Sequence, residues 1–369
     1  MKVCLDIRVS TKGGTSTFID NYVRALDEVQ HDHNIHFVFN EDTTPLNGRH
    51  PRVAAVPYNN RMLEFQWSQL NLARIVKKHN FDVYHSLKHV GPILCSAKTI
   101  YRVPAVGQFL GNYPMRTLDH IYWKHVAGAA YRKADLLIAV SQYVANALTE
   151  TLHIPADRVI TINNGVDSRY RKLAPDEMDP DRWRRHGIAD DFMLCVGNLV
   201  PVKNFSTAIK AYAALATQDN DLPQLVLAGG QRHPHYDELA DLVRQHKLQH
   251  QVRFIGYTST SDLLHLYNAA SMLIHPSMHE GFSFTILEAL SCGLPIVASA
   301  STSIPEAAGD AALYHDDPMD VEALAEHIRR LLDDSELCAK LSERALARAP
   351  EFSWKKCVTK TVEAYNRLT

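Results

Sequence analysis

Residues 272–299 read MLIHPSMHEGFSFTILEALSCGLPIVAS, and this stretch predicts one strand–helix–strand unit. Its first part is the short apolar run Met272–His275, which is typical of a buried strand. A helix is predicted over Ser283–Cys292, and the apolar run Pro295–Ser299 predicts a second strand. Units of this kind, repeated along a chain, are typical of a doubly wound α/β sheet whose strands are mostly parallel.

The same alternation recurs on the N-terminal side of this stretch, where short apolar runs are separated by longer amphipathic segments such as Thr17–Val29 and Gln142–Leu152. The predicted strands are Val3–Val9, His36–Phe39, Val53–Val56, Val83–His85, Lys98–Tyr101, Leu136–Val140, Val159–Ile162, Phe192–Val196, Gln224–Ala228 and Val252–Ile255. The segment 168–191 interrupts the pattern with two prolines and many charges, which indicates a linker. The sequence therefore predicts two Rossmann-like domains that face each other across a ligand cleft.

The length of 369 residues suits two such domains. We predict an N-terminal acceptor domain over residues 1–175 and a C-terminal donor domain over residues 176–350. A terminal helix within residues 351–369 is predicted to cross back to the N-terminal domain.

The composition argues against nucleic-acid binding and leaves contact with a membrane open. The formal net charge is −2 and no basic motif is present, which argues against nucleic-acid binding. The first 177 residues carry 21 Lys and Arg against 16 Asp and Glu, a mild excess that suits an anionic acceptor or an acidic membrane surface, or is a chance spread of surface charge. The aromatic and basic segment 121–133 indicates either peripheral membrane contact or, more simply, a core helix with basic edges.

Targeting and cysteine patterns point to the cytoplasm. The chain begins MKVCLDIRV, which predicts a strand and not a signal peptide, and no apolar run is long enough to span a membrane. The six cysteines form no CxxC pair and suit reduced, buried thiols. The 20 histidines show no metal-ligand spacing, so no metal site is predicted. The expected location is cytoplasmic, with peripheral contact at the inner face of the membrane as an open alternative.

The loop and helix after Met272–His275 carry the predicted chemistry. Gly281 allows a ligand to approach the backbone, and the first free N–H groups of the helix, near Phe282 and Ser283, favour an anion such as a pyrophosphate. Glu280 and Glu288 are eight residues apart, a rise of about 12 Å in a helix. Two carboxylates at that spacing can accept hydrogen bonds from sugar hydroxyls at both ends of a nucleotide sugar. Each glutamate taken alone would be an ordinary residue of an amphipathic helix.

The run from Glu280 to Glu288 resembles the E-x7-E motif of the retaining family 4 glycosyltransferases, which have the GT-B fold. The resemblance covers nearly the whole chain. Other matching stretches, in order, are Gly13-Gly14, Ser141-Gln142-Tyr143, residues 162–167 (INNGVD), Val196-Gly197, Lys203-Asn204, residues 227–230 (LAGG), residues 254–257 (FIGY), residues 304–307 (IPEA) and Phe352-Ser353-Trp354.

This resemblance implies a role for each matching residue. Glu280 would contact the hydroxyls of the donor sugar, Glu288 the ribose, and Lys203 the leaving diphosphate, where negative charge grows as the glycosidic bond breaks. The remaining donor-binding residues it implies are Gly13, Gly14, Asn198, Gly256, Tyr257 and the amides of Gly281, Phe282 and Ser283. The implied substrate is a UDP- or GDP-linked sugar, with no further cofactor required.

The chain departs from the family at two places. Asn198 and Val202 occupy positions that often hold an arginine near the lysine, and Tyr101-Arg102 stands where a His-Asp pair is common. Arg102 could then supply a positive charge on the acceptor side. His85, at the end of a predicted strand, is a second acceptor-side candidate, although a packed histidine is the simpler interpretation.

The predicted function is retaining transfer of a hexose from a nucleotide-diphosphate donor to a saccharide or lipid-linked saccharide, in cell-envelope polysaccharide synthesis. Two alternatives stay open at this point. One is another GT-B enzyme, either a sugar-nucleotide epimerase or an inverting transferase, which would need a general base such as Asp6 or Asp20 at the acceptor. The other is a non-catalytic scaffold that binds a nucleotide sugar.

Overall fold

The computed structural model describes residues 1–8, 14–40, 51–56, 61–88, 91–111, 122–219, 221–230 and 234–368. Contacts divide the chain into two compact units, a first unit of Met1–Gly165 with Ser353–Thr369 and a second unit of Val166–Phe352. The sequence predicts domains over residues 1–175 and 176–350, with a terminal helix within residues 351–369. These bounds concern domains that fold independently, and they remain a prediction.

The first unit contains a seven-stranded sheet in the order β3-β2-β1-β4-β5-β6-β7, with parallel neighbours throughout. Its strands are β1 (Lys2–Asp6), β2 (Asn34–Asn40), β3 (Arg52–Val56), β4 (Val83–Ser86), β5 (Lys98–Val103), β6 (Leu136–Ala139) and β7 (Val159–Thr161). Its helices are α1 (Gly14–Leu26), α2 (Arg61–Lys78), α3 (Gly107–Leu110), the π-helical turn Tyr122–Ala127, α4 (Gly128–Lys133) and α5 (Gln142–Thr151).

The second unit contains a six-stranded parallel sheet in the order β10-β9-β8-β11-β12-β13. Its strands are β8 (Phe192–Val196), β9 (Gln224–Ala228), β10 (Val252–Gly256), β11 (Leu273–His275), β12 (Ile296–Ser299) and β13 (Ala312–His315). Its helices are α6 (Asp181–Arg184), α7 (Phe205–Ala216), α8 (His235–Gln245), α9 (Thr260–Ala269), α10 (Phe284–Cys292), α11 (Ile304–Ala308), α12 (Val321–Asp333) and α13 (Ser335–Arg348).

The last helix, α14 (Trp354–Asn366), belongs to the first unit. Ser353 caps its N-terminus, since the Ser353 hydroxyl accepts a hydrogen bond from the N–H of Lys356 at 3.1 Å. The Trp354 ring packs edge-on against Phe18 of α1, with ring centroids 5.2 Å apart. None of the helices within the described ranges has the length and apolarity that crossing a membrane requires.

The central strands consist of apolar residues because each sheet is covered on both faces. All five residues of β8 are buried, as expected for a central parallel strand, and one hydrophobic cluster joins β8, β9 and β11 to α7, α8 and α12. Sequence analysis missed β13, an edge strand in which two of the four residues are only partly buried, and α11, which has five residues and is too short for a periodic signal.

The segment 168–191 is not a free linker. Four apolar side chains of this segment, Tyr170, Leu173, Trp183 and Ile188, are at most 8% exposed despite the many charged residues around them. Trp183 packs against Phe192 with ring centroids 6.4 Å apart, and Arg182 forms an ion pair with Asp262 of α9 at 2.9 Å. This segment therefore packs as part of the second unit.

The loops after β8 and β9 touch through their backbones. The N–H of Gly197 donates to the carbonyl oxygen of Ala228 at 3.0 Å, and a Cβ atom on Gly229 would overlap the carbonyl oxygen of Gly197. Only a glycine fits at position 229 without moving the neighbouring loop.

We predict that Gly229→Ala lowers the free energy of unfolding by roughly 3 kcal/mol, because the added methyl group displaces the Gly197 backbone. Gly230→Ala is the matched control, since its Cβ would have only the Asn198 side-chain oxygen at 4.0 Å. Urea unfolding of both variants measures the difference. Equal stability of the two variants would contradict this close packing.

Candidate active site

The candidate site lies where the strand order of the second sheet reverses. β8 is the first strand of that sheet along the chain, and its neighbours β9 and β11 lie on opposite sides of it. The loops that follow the carboxyl ends of β8 and β11 therefore diverge, and ligands of doubly wound sheets bind at such a point. The loop after β8 carries Lys203 and the loop after β11 carries Glu280.

An ion pair joins these two loops. The Lys203 ammonium lies 2.5 Å from Oε1 of Glu280, and the two side chains are only 19% and 13% exposed. Oε1 also accepts a hydrogen bond from the Ser277 hydroxyl at 2.9 Å and lies 3.2 Å from Nε2 of His275. Within the described part of the chain, the second oxygen of Glu280, Oε2, accepts no hydrogen bond. One carboxylate oxygen is thus fixed by the protein and the other is free to accept from a ligand.

Ionisation of Glu280 depends on its neighbours. Burial alone would raise the pKa of this carboxyl, but the Lys203 charge and the His275 ring outweigh burial and hold the pKa below its ordinary value. Burial also lowers the pKa of His275, so the ring is neutral at neutral pH and hydrogen bonds to its neighbours rather than pairing as a cation. Glu280 therefore carries its negative charge throughout the neutral range.

The loop after β12 fixes the backbone of Glu280. Its N–H donates to the Thr302 hydroxyl at 2.9 Å, and its carbonyl oxygen accepts from the Ser303 hydroxyl at 3.0 Å. Thr302 has a φ of 56°, which is strained for a β-branched residue and costs of order 1–3 kcal/mol. Strain of this kind persists only where the surrounding structure enforces it, and here it places the hydroxyl against Glu280.

Asn204 fixes the backbone next to Lys203. It has a φ of 54°, a left-handed conformation that asparagine tolerates better than most residues. Its side-chain nitrogen donates to the carbonyl oxygens of Pro276 and Pro318, at 3.1 and 2.6 Å, and its side-chain oxygen accepts from the Thr207 hydroxyl at 2.8 Å. The buried amide of Asn204 therefore ties the lysine loop to the glutamate loop.

Glu288 lies in the second turn of α10 in a different environment. Its Oε2 accepts a hydrogen bond from the Tyr267 hydroxyl of α9 at 2.8 Å, and the Tyr267 ring packs edge-on against Tyr170 at 5.8 Å. Burial, reinforced by the nearby Asp167, raises the pKa of Glu288 to about 7, although the tyrosine hydroxyls oppose this shift. The two glutamates thus differ strongly in how readily they ionise.

The N-terminus of α10 faces the same loop. Helix α10 is nine residues long and begins at Phe284, after the extended residue Ser283. Among the described residues, none accepts a hydrogen bond from the backbone N–H groups of Gly281, Phe282 and Ser283. Three adjacent N–H groups without a described acceptor, next to Glu280, are suited to an anion, and their contact with a pyrophosphate stays a prediction.

The other predicted donor residues lie on neighbouring loops. Gly256 ends β10 with a φ of 73°, and its carbonyl oxygen accepts from the N–H of Gly229 at 2.9 Å. Tyr257, the next residue, is 85% exposed, and Asn198 is exposed after β8. These residues follow strands on the same edge of the sheet as Lys203 and Glu280. Their contact with a donor stays a prediction.

The predicted residues of the first unit are placed differently. Gly13 lies outside the described residues, and Gly14 is the first residue of α1. His85 and Arg102 are 1% and 5% exposed, inside the first unit. Nδ1 of His85 lies 2.8 Å from the Tyr365 hydroxyl, and Arg102 donates to the Asn164 side chain at 3.0 Å. Both contact protein groups, so an acceptor role for either stays a prediction that burial does not favour.

Sequence analysis quoted Asn204 only as part of a matching stretch, and it did not single out the other residues that position the site: Thr207, Tyr267, His275, Ser277, Thr302 and Ser303. Most act through hydrogen bonds between segments distant in sequence, which no spacing rule reveals. One local signal could have indicated the left-handed backbone of Asn204. This asparagine follows Lys203 and directly precedes a helix, and asparagine adopts that conformation more readily than most residues. Within the described ranges, His, Cys, Asp and Glu side chains form no group of three that would suit a metal ion.

Comparison with known proteins shows which family the chain resembles. The model of the family "Glycosyltransferase Family 4" matches residues 12–170, and that of "Glycosyl transferases group 1" matches residues 184–348. The O-antigen chain mannosyltransferase B of Escherichia coli is 36% identical over 235 residues, which are 64% of this chain and 61% of that protein. The serotype-specific mannosyltransferase WbdA of the same species is 29% identical over 65% of this chain but only 30% of its own length.

Solved structures give the same answer for the fold. The Anabaena protein Alr3699/HepE, solved in complex with UDP and glucose, superposes with a TM-score of 0.77 at 20% identity and covers 99% of each chain. The predicted GT-B class, with two Rossmann-like domains, is confirmed. The chain belongs to the family 4 glycosyltransferases. It spans less than two thirds of the length of the two mannosyltransferases that it matches.

The raised pKa of Glu288 makes stability depend on pH. Between its ordinary value of 4.5 and about 7, the folded protein holds a proton that the unfolded chain has lost, so the free energy of unfolding falls as pH rises through this range. We predict that Glu288→Gln removes this contribution and flattens the profile. Urea unfolding from pH 4.5 to 8 measures it.

Glu326→Gln, an exposed carboxyl of α12, is the control and should keep the wild-type profile. If Glu288→Gln and wild type lose stability in parallel across the range, the buried, protonated state of Glu288 is wrong.

Proposed function

We propose that this chain transfers a hexose from a nucleotide-diphosphate donor to a saccharide or lipid-linked saccharide, with retention of configuration, in cell-envelope polysaccharide synthesis. The observation that carries the proposal is the ion pair between Lys203 and Glu280 at the point where the strand order reverses. It brings a cation, a carboxylate with one free oxygen, and the free N–H groups of Gly281, Phe282 and Ser283 to one place. A sugar diphosphate needs these three kinds of partner.

The donor would lie along α10 in this proposal. The diphosphate accepts hydrogen bonds from the amides before α10 and from Lys203, which stabilise the charge that develops as the glycosidic bond breaks. The sugar hydroxyls donate to Oε2 of Glu280, and the ribose hydroxyls donate to Glu288. Gly256 and Tyr257 border the base. The charge of the diphosphate is met by protein groups, so no metal ion is required.

Retention rests on the resemblance of residues 280–288 to the motif of the retaining family 4 enzymes. Glu280 does not act as a nucleophile in this proposal, because its Oε2 accepts from the sugar hydroxyls and its Oε1 already accepts from Lys203 and Ser277. The leaving phosphate then assists deprotonation of the acceptor on the same face of the sugar. The reaction in this form needs no protein nucleophile and no separate general base.

The relatives' names support the choice of pathway and sugar. The matched mannosyltransferases of Escherichia coli include one named for the O-antigen chain, which favours mannose as the hexose and a growing envelope polysaccharide as the acceptor. The donor base is guanine or uracil. The transfer would take place in the cytoplasm, and a lipid-linked acceptor would bring the enzyme to the inner face of the membrane.

Substitutions at the two glutamates should affect different steps. Glu280→Gln keeps the shape of the side chain but removes its charge, and we expect kcat to fall about 10–100-fold with little change in nucleotide affinity. Glu288→Ala removes an acceptor for the ribose, and we expect the Kd for the nucleoside diphosphate to rise about 10–100-fold. Titration calorimetry with UDP and GDP, together with initial rates, separates the two effects.

Lys203→Met should lower kcat/KM by roughly 100-fold or more, as loss of a charge-stabilising donor does elsewhere. Lys210→Met is its matched control, because Lys210 is exposed on α7 in the same unit.

Unchanged turnover in a Glu280→Ala/Glu288→Ala double variant would remove the site assignment.

A thermal-shift panel of UDP, GDP, ADP and their common sugar conjugates tests the donor class. A ligand at 100 times its Kd adds about 2.7 kcal/mol to the free energy of unfolding, which is readily measured as a rise in Tm. We expect one nucleotide series to raise Tm, and Glu288→Ala to weaken that rise. No rise with any member of the panel would contradict a nucleotide-sugar donor.

A further inference from the structure

The first unit contains two buried arginines, and only one of them has a counter-ion among the described residues. Arg8 is 1% exposed and forms two hydrogen bonds with Asp6, at 2.8 and 2.5 Å. The Tyr84 hydroxyl donates to the same carboxylate at 2.7 Å. This ion pair compensates the cost of removing a guanidinium group from water.

Arg102 has no such compensation. Its guanidinium group donates to the neutral side chain of Asn164 at 3.0 Å and stacks on the Phe18 ring, 3.5 Å from the ring centroid. No described carboxylate pairs with it, and its Nη1 group has no hydrogen-bond partner. A buried cation with an unused donor is costly, so a further partner is expected.

A small cavity lies against this unused donor. Its volume is about 10 Å³, and it is lined by Arg102, His85, Phe18, Tyr22, Cys357 and Thr361, with Leu87, Ile138 and Ile162. All these residues belong to the first unit. A cavity of roughly 10–15 Å³ holds about one water molecule. The radius of a chloride ion exceeds that of water by about 0.4 Å, so a bound chloride requires a small outward shift of the lining side chains.

His85, which also lines this cavity, has a second nitrogen that lacks a partner. Its Nε2 atom is buried and makes no hydrogen bond with a described residue, while its Nδ1 atom lies 2.8 Å from the Tyr365 hydroxyl. When Tyr365 donates to Nδ1, the neutral ring carries its hydrogen on Nε2. The cavity then receives two N–H donors, from Arg102 and His85.

The thiol and the rings that surround Arg102 do not supply a negative charge. Burial raises the pKa of Cys357 to about 12 and raises the pKa of Tyr131, so both side chains are neutral. Burial lowers the pKa of Arg102 to about 9, which leaves it charged at neutral pH. Among the described residues, none therefore compensates the positive charge at the cavity.

We propose that this cavity binds one monatomic anion, chloride under ordinary conditions, held by Nη1 of Arg102 and Nε2 of His85. Two converging donors and an uncompensated cation favour an anion over water, and the small volume excludes polyatomic anions. Bound there, the anion would link β4 and β5 of the sheet, which carry His85 and Arg102, to α1 and α14 around the cavity.

The test compares the Tm of the full-length protein in sodium chloride and in sodium gluconate at equal sodium concentration. Each tenfold rise in chloride above its Kd should raise Tm by roughly 3–6 °C relative to gluconate. Bromide should replace chloride. Arg102→Met should abolish the difference between chloride and gluconate, whereas Lys98→Met, which removes an exposed cation of the same unit, should retain it.

Equal Tm values for wild type in chloride and gluconate would overturn the proposal and leave the cavity to water. A direct measurement keeps the test valid if Arg102→Met does not fold. Crystals of the wild-type protein grown in bromide should give an anomalous peak between Arg102 and His85. The absence of that peak, with bromide found elsewhere or not at all, would also overturn the proposal.

Discussion

The ion pair between Lys203 and Glu280 is the interaction on which the proposed chemistry depends. It joins the loops after β8 and β11, which diverge at the reversal of the strand order. A largely buried ion pair of this kind contributes little to stability unless its remaining hydrogen-bonding groups have partners. In this site one oxygen of the carboxylate is fully used by the protein and the other is not, which is the state expected of a binding group.

Much of the surrounding structure fixes that pair in place. Asn204 ties the lysine loop to the glutamate loop, and the strained Thr302 and its neighbour Ser303 hold the backbone of Glu280. Gly229 allows the β8 and β9 loops to meet without a side chain between them. The site is thus built on loops whose backbones are cross-linked by side-chain hydrogen bonds, so its geometry does not rely on a ligand for its order.

The fold could be predicted from the sequence for physical reasons, and the central residues of the candidate site came from the resemblance of residues 280–288 to a family motif. Apolar runs such as Phe192–Val196 are continuous because central parallel strands are covered on both faces. Glu280, Gly281 and Glu288 lie within one strand–loop–helix unit, so spacing alone relates them. Thr302, Ser303 and Asn204 act across strands that are adjacent only after folding, and sequence spacing does not reveal such contacts.

In two places the charged residues suggested an exposed segment or side chain, whereas the structure shows burial. The many charges of segment 168–191 predicted a linker, but Trp183 and Tyr170 are buried beneath them. Arg102 was expected to present its charge to an acceptor, whereas the side chain is enclosed by α1, β5 and α14 of the first unit. A charged residue at a strand position can point to either face, and the sequence does not show which one.

The most direct test of the central claim is amide hydrogen exchange with and without a saturating nucleoside diphosphate. Our account predicts slower exchange in the segment 281–283, where the diphosphate would accept hydrogen bonds from the backbone N–H groups, and in the lysine loop 197–204. Saturated binding with unchanged exchange in both segments would contradict the proposed site.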